Sequence, residues 1–307
     1  MAERFATIDV GTNTVLLTIA ERRGATFAPV VERAEITRLG RGVDASGRLD
    51  PAGIRETVAV LASYAAEARA LGAEIVACVA TSAARDAANG AEFFEAASAG
   101  AGLTPEVISG DEEARLVYAS AWHDFGGAGP LAVLDVGGGS TEFIVGDGPA
   151  PRGRTSLQVG AVRLTERHVR GDPPSPAELA TLRRAAIQAL RPLVDMVAGV
   201  GPARLVGVAG TVTTLAAVEQ SLPAYDAERV HGATLTLAAA DALVARLAAL
   251  TVRERAALPG MEPKRADVIL AGAILVVEAM RAAGFERLTV SDRGVRWGLL
   301  HDRVRAG

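Results

Sequence analysis

Apolar runs punctuated by glycine and proline divide this chain into alternating strands and helices. A first strand runs into Ile8-Asp9-Val10, and after an irregular segment at 30–47, Asp50-Pro51 opens a long amphipathic helix. Asp50 is its expected N-cap, Pro51 occupies the first helical position and Gly72 lies past the end. Residues 74–81 then read as a buried strand, 86–99 as a helix, 105–108 as a short strand and 112–122 as another helix. Gly126-Gly127-Ala128-Gly129-Pro130 is the strongest break in this part of the chain, and it predicts domains at 1–126 and 127–307, with the terminal helix able to pack back on the first.

The second part restarts with a strand at 131–136 and returns through 142–145. The loop Asp172-Pro173-Pro174-Ser175-Pro176 caps a helix beginning near Ala177. A strand at 205–209 runs into Gly210-Thr211 and a helix, and a strand at 288–291 precedes Asp292-Arg293-Gly294 and a terminal helix. The pattern is that of an α/β protein, and its one repeat is the size of a fold.

That repeat is visible in two turns. Ile8-Asp9-Val10-Gly11-Thr12-Asn13-Thr14 and Leu134-Asp135-Val136-Gly137-Gly138-Gly139-Ser140-Thr141 are both apolar strands that end in an aspartate and break into glycine, hydroxyl or amide residues, with the aspartates 126 positions apart. Glycine has no Cβ to block a phosphate from the backbone N–H groups, and the aspartate can hold a divalent cation or a water against the same phosphates. A single Asp-x-Gly turn is equally a β-turn held by its own aspartate. Three glycines in succession after a buried strand weaken it unless something must approach the backbone, and Gly210-Thr211 adds a third such turn. Phosphate binding is the reading these turns favour.

Ser109-Gly110-Asp111-Glu112-Glu113 places three carboxylates at the start of a helix. Attraction to the helix dipole accounts for Asp111 and Glu112, whereas Glu113 is open to two readings, a helix-start charge or a base for a water beside phosphate. Arg85 follows Thr81-Ser82-Ala83-Ala84 at the C-terminal end of a strand, where open sheets bind ligands. Arg38 and Arg41 flank Gly40, and a surface role explains them as well as an anion-gripping one does.

Composition narrows the chemistry further. Half of the 307 residues are apolar and 22% are charged, as in a globular protein with two substantial cores. The 32 basic and 36 acidic residues give a net charge of −4, which argues against a broad nucleic-acid surface. No run approaches the roughly 18 apolar residues of a membrane helix, and the N-terminus lacks the pattern of a signal peptide, so a cytoplasmic protein is expected. Cys78, the only cysteine, lies in an apolar run and reads as a buried thiol, and the four histidines show no metal-ligand spacing. There is no Gly-x-Ser-x-Gly elbow and no Gly-x-x-x-x-Gly-Lys loop. These absences leave direct attack by water, assisted by a metal and a carboxylate. The apolar segment at 266–280 has two readings, a core helix or a homodimer face.

Five segments in order, Asp9-Val-Gly-Thr-Asn-Thr, Ala80-Thr-Ser-Ala-Ala-Arg85, Ile108-Ser-Gly-Asp-Glu-Glu-Ala-Arg-Leu116, Asp135-Val-Gly-Gly-Gly-Ser-Thr-Glu142 and Gly207-Val-Ala-Gly-Thr211, resemble the exopolyphosphatase and guanosine pentaphosphate phosphatase (Ppx/GppA) family of the actin, sugar kinase and Hsp70 superfamily. The resemblance continues to Ser291-Asp292-Arg293-Gly294-Val-Arg-Trp-Gly298, where the chain departs from the family's small residues, leaving the role of Arg293 and Trp297 open. It implies two ribonuclease-H-like (actin-like ATPase) domains, with mixed central sheets flanked by helices and a cleft between them. Glu113 is by this resemblance the general base, Asp135 and Glu142 hold magnesium or another divalent cation, and Asp9 is the partner of Asp135 across the cleft. Phosphate falls to Gly11, Thr12, Asn13, Arg85, Gly137, Gly138, Gly139, Ser140, Gly210 and Thr211. The implied reaction is hydrolysis of terminal phosphate from inorganic polyphosphate, of short chains because the further helical domains of long members are missing. Guanosine pentaphosphate is the alternative substrate, and a superfamily kinase or a non-catalytic polyphosphate or alarmone sensor are the alternatives of another class.

Overall fold

A computed structural model describes residues 2–202 and 204–304. Two mixed sheets organise the chain. The first has the order β3-β2-β1-β4-β5, where β1 is Arg4–Val10, β2 Thr14–Arg23, β3 Thr26–Ile36, β4 Glu74–Ala80 and β5 Glu106–Val107. The second has the order β10-β11-β9-β6-β7-β8, built from β6 (Leu131–Val136), β7 (Thr141–Gly146), β8 (Gly153–Leu157), β9 (Arg204–Val208), β10 (Thr234–Thr236) and β11 (Arg287–Val290). In both, an antiparallel three-strand meander is followed by parallel strands laid on its first strand: β1 pairs with β4 and β6 with β9. The duplication expected from the two turns is therefore a duplication of the sheet that carries them, in two ribonuclease-H-like domains.

Local chemistry explains most element boundaries. Helix Pro51–Ala70 begins where the Asp50 side chain accepts from the Ala52 N–H at 3.0 Å, and it buries Ile54, Thr57, Leu61, Tyr64, Ala65 and Ala68 along one stripe. Helix Pro176–Ala189 starts with a reciprocal pair, the Ser175 hydroxyl accepting from the Glu178 N–H while the Glu178 carboxylate accepts from the Ser175 N–H. Strand β6 is buried at every position, as a central strand covered on both faces must be. Four strands escape the sequence pattern: β2, whose apolar run lies between the first strand and the segment at 30–47 with no element assigned to it, and β3, β8 and β10, edge or short strands whose half-exposed residues give no apolar run. The helix expected at 86–99 is two helices, Ser82–Asp86 and Gly90–Ala101.

The chain forms two compact units, which divide between Leu116 and Val117, inside helix Gly110–Phe125, rather than at the glycine run 126–130. Helix Val295–Arg303 belongs with the first unit. Trp297, Leu299 and Leu300 are buried there, and the Thr7 hydroxyl donates to the Arg296 carbonyl at 2.8 Å. A glycine run marks a turn, but it does not say which core the flanking helices cover.

Each unit has its own core. Helix Ile269–Ala283 fills the second so thoroughly that nearly all of its residues are buried. Its apolar surface is covered within the unit, so the pattern at 266–280 gives no reason to invoke a dimer face. Among the described residues, no helix is long and apolar enough to cross a membrane.

The docking of the last helix depends on Gly298, where a Cβ would run into the Leu116 carbonyl and lie 3.0 Å from the Leu116 Cα. Gly298→Ala is expected to lower stability by about 1–3 kcal/mol through overpacking, read as a fall in the thermal unfolding midpoint.

Candidate active site

The turn in each unit holds its carbonyls in a similar way. In the β1–β2 turn, Gly11 N–H donates to the Thr14 carbonyl at 3.0 Å, the Thr12 carbonyl accepts from Gly40 N–H at 2.7 Å, and the Asn13 carbonyl accepts from Thr37 and Arg38 N–H at 3.1 and 3.0 Å. In the β6–β7 turn, Gly137 N–H donates to the Ser140 carbonyl at 3.1 Å. The Gly137 carbonyl accepts from Ala161 N–H at 2.9 Å, and the Gly138 carbonyl from Val162 and Arg163 N–H at 2.9 and 3.2 Å. The Gly139 carbonyl accepts from Arg163 Nε at 2.9 Å.

A trans peptide points its N–H opposite its C=O. The Asn13 and Thr14 amides, and those of Gly138, Gly139 and Ser140, therefore face away from the elements that hold the carbonyls. Neighbouring amides directed to one side form a concavity for an anion. Gly160 makes the second turn's arrangement possible, since a Cβ there would collide with the Gly138 carbonyl.

Strand register sets the carboxylates. Asp135 lies directly opposite Glu142 on β7, and Glu142 opposite Ser156 on β8. Directly opposed side chains share a face of the sheet, with Cβ atoms about 5 Å apart. The Ser156 hydroxyl donates to Glu142 Oε1 at 2.6 Å, and the two carboxylates are 8% and 1% exposed. In the first unit the residue opposite Asp9 is Leu16.

Asp9 is 8% exposed, and its Oδ1 is buried without a hydrogen-bond partner. Burial raises its pKa to about 7, against the opposing pull of the Arg296 guanidinium. Arg296 is itself buried, its Nη1 donating to the Leu17 carbonyl at 3.2 Å and its Nη2 lying 3.2 Å from Glu32 Oε1, which also accepts from the Trp297 indole at 3.0 Å. The terminal motif thus supplies the countercharge of Asp9. Burial, with Asp9 adding to it, pushes the Cys78 thiol up to about 12, the inert state expected of it.

Helix Gly110–Phe125 separates the three acids at its start. Asp111 is exposed, and Glu112 is held in a two-pronged pair with Arg115 at 2.8 and 2.7 Å. Glu113 is buried, 8% exposed, with Oε2 3.5 Å from Arg85 Nη1. Arg85 Nη1 also donates to the Ile108 carbonyl at 2.9 Å, which fixes the guanidinium beside the carboxylate. Of the flanking arginines, Arg38 adopts a left-handed backbone (φ 54°) and Arg41 is exposed.

The third turn is built differently. Ala209 has φ 69°, a strained conformation for a residue with a Cβ, and the Arg265 guanidinium packs against Gly210. Burial lowers the pKa of Arg265, while Glu262, Tyr225 and Asp267 oppose the shift. The Thr211 hydroxyl donates to the Val136 carbonyl at 2.9 Å, tying the turn to the end of β6. Its side chain is a strut inside the unit.

No three His, Cys, Asp or Glu side chains gather closely enough to hold a metal among the described residues. Of the expected set, Asp9 belongs to the first unit, and Asp135 and Glu142 belong to the second. The pair Asp135 and Glu142 stands side by side, as strand pairing dictates. Ser156, Arg163, Arg265 and Arg296 were not singled out in the sequence. Ser156 depends on an edge strand with no clear pattern, and the contacts of the three arginines are products of tertiary packing.

A model of the Ppx/GppA phosphatase family matches residues 18–306. Exopolyphosphatase 2 of Mycobacterium tuberculosis is 42% identical over 96% of this chain and 97% of its own. A guanosine-5'-triphosphate,3'-diphosphate pyrophosphatase of Vibrio cholerae is 27% identical over 98% of this chain and 59% of its own. The crystal structure of an Aquifex aeolicus member of the Ppx/GppA family superposes with a TM-score of 0.81 at 34% identity, covering 98% of this chain and 97% of that one. An exopolyphosphatase from Cytophaga hutchinsonii gives a TM-score of 0.90 at 26% identity, covering 99% and 100%.

The buried Asp9 carboxyl has a consequence for stability. A folded-state pKa of about 7 against 3.8 means that the folded protein holds the proton more tightly, so stability is lost as pH rises from 4 through 7. Asp9→Asn is expected to flatten that loss and to raise stability at pH 8, by at most about 4 kcal/mol. Urea unfolding of both proteins at pH 5 and pH 8 reads it.

Proposed function

The chain belongs to the Ppx/GppA phosphatase family and is a hydrolase of phosphoanhydrides, and we propose that it removes terminal phosphate from inorganic polyphosphate by attack of a water activated by Glu113. The observation that carries this reading is the separation of Glu113 from its acidic neighbours. Glu112 is occupied by Arg115 and Asp111 faces solvent, while Glu113 is buried and braced by Arg85. A general base needs a fixed carboxylate within reach of a water, and a water acceptor makes the reaction a hydrolysis and not a transfer.

The turns supply the electrostatic part. Amides of Gly138, Gly139 and Ser140, and those of Asn13 and Thr14, bind phosphate oxygens with donors already oriented, so no reorganisation is needed as charge redistributes. Phosphoryl transfer depends mainly on such positioning and charge stabilisation. The likeness to a named exopolyphosphatase along almost the full length of both chains favours polyphosphate over guanosine pentaphosphate as substrate.

Magnesium suits the acidic pair. It takes oxygen ligands and is commonly held by one or two carboxylates, with water and substrate phosphate completing its shell. Asp135 and Glu142 would hold it, the second oriented by Ser156. When bound, the ion supplies neutralisation of the phosphate charge.

Two measurements test this reading. Glu113→Gln is expected to bind polyphosphate and to lose turnover by on the order of 10² to 10⁴, and turnover near that of the native protein would refute the assignment. Orthophosphate release from polyphosphate, guanosine pentaphosphate and ATP, each with magnesium and with chelator, ranks the substrates. Polyphosphate is expected to be cleaved fastest and chelator to abolish release, whereas preference for guanosine pentaphosphate would replace the proposed substrate with the nucleotide.

A further inference from the structure

We propose that Arg163 is a positioning residue for the phosphate-binding turn Gly137–Ser140, acting through the carbonyl of Gly139. The inference rests on the reading that this turn binds phosphate. Three consecutive carbonyls of the turn are held by the start of helix Ala161–His168. The first two, of Gly137 and Gly138, accept from main-chain N–H groups of Ala161, Val162 and Arg163, which a residue of almost any type supplies. The third, of Gly139, accepts from a side chain, Arg163 Nε, at 2.9 Å.

This bond sets a peptide plane. With the Gly139 carbonyl held toward the helix, the Ser140 N–H points the opposite way, toward the face where the Gly138 and Gly139 amides also point. Glycine tolerates either peptide orientation, so the direction of the last amide depends on what holds its partner carbonyl. Arg163 is half-buried, and its Nη2 is steadied by Gln158 Oε1 at 3.3 Å. Its main-chain N–H holds Gly138 as well, so one residue grips two successive carbonyls. In the turn of the first unit the corresponding carbonyl, of Asn13, is held by the main-chain N–H groups of Thr37 and Arg38. The second turn uses a side chain where the first uses backbone, and its geometry is therefore open to a single substitution.

The rival explanation is that the positive charge of Arg163 attracts the polyanion. Two variants separate the two roles. Glutamine carries an amide nitrogen at the same chain position as the arginine Nε but no charge, whereas lysine keeps the charge and places a methylene there. Loss of one oriented donor typically lowers kcat by about 10² to 10³, and a misdirected amide is expected to cost ~10 to 10² in kcat/KM.

Arg163→Ala and Arg163→Lys are expected to show that loss with polyphosphate, and Arg163→Gln to stay within about threefold of the native protein. The substrate-free amide spectrum gives a second reading: the ¹H–¹⁵N resonances of residues 138–140 are expected to broaden or split in the alanine and lysine variants, as the Gly139–Ser140 peptide samples both orientations, and to stay single and sharp in the glutamine variant. Native activity in the lysine variant with loss in the glutamine variant, or single sharp resonances in all three, overturns the proposal. If the native protein released no orthophosphate from any phosphoanhydride, the functional reading would fail, while the amide spectrum would still decide the role of Arg163.

Discussion

The rigidity of the peptide unit is the constraint on which the rest of this structure depends. Because each N–H opposes its own C=O, a turn that has its carbonyls held from one side presents its amides to the other. Both units use this device after the first strand of a three-strand meander. The elements that take up the carbonyls, the segment Thr37–Gly40 in one unit and the start of helix Ala161–His168 in the other, therefore set the direction of the turn amides from behind. Glycine at 160 is required for the same reason, since the helix must approach the turn more closely than a Cβ allows.

Duplication gave the two units the same turn, and single positions made them different. Strand pairing sets a residue opposite each aspartate: Leu16 faces Asp9, and Glu142 faces Asp135. An apolar neighbour offers Asp9 no hydrogen-bond partner, and burial raises its pKa to about 7 against the pull of Arg296. An acidic neighbour instead creates a two-carboxylate corner that a divalent ion would satisfy. One backbone plan thus yields a carboxyl facing leucine in one unit and two adjacent carboxylates in the other.

The acidic start of helix Gly110–Phe125 shows how burial selects among similar residues. Three carboxylates lie at the helix start, and the macrodipole favours all of them there. Only tertiary packing separates the solvated Asp111 and the Arg115-bound Glu112 from the enclosed Glu113. A charge in that setting is costly without a partner, and Arg85, anchored on the Ile108 carbonyl, provides one.

By itself the sequence determined the class of fold and the two aspartate turns, because these are written in local terms: apolar runs of strand length, glycine where the backbone must come close, a helix cap at Asp50. It also determined membership of a family, through five segments in order. Tertiary structure decided what local pattern does not encode. Edge strands β3 and β8 carry little apolar periodicity, so the register that brings Ser156 to Glu142 was not legible. The glycine run at 126–130 looked like a domain boundary, yet the units divide within the preceding helix, because a boundary follows from which core each residue is buried in. Arg163 and Arg296 read as ordinary charges until the fold set one against a carbonyl and the other near a buried carboxyl. Their roles arise from contacts between residues far apart in the chain, and such contacts exist only once both partners have been packed.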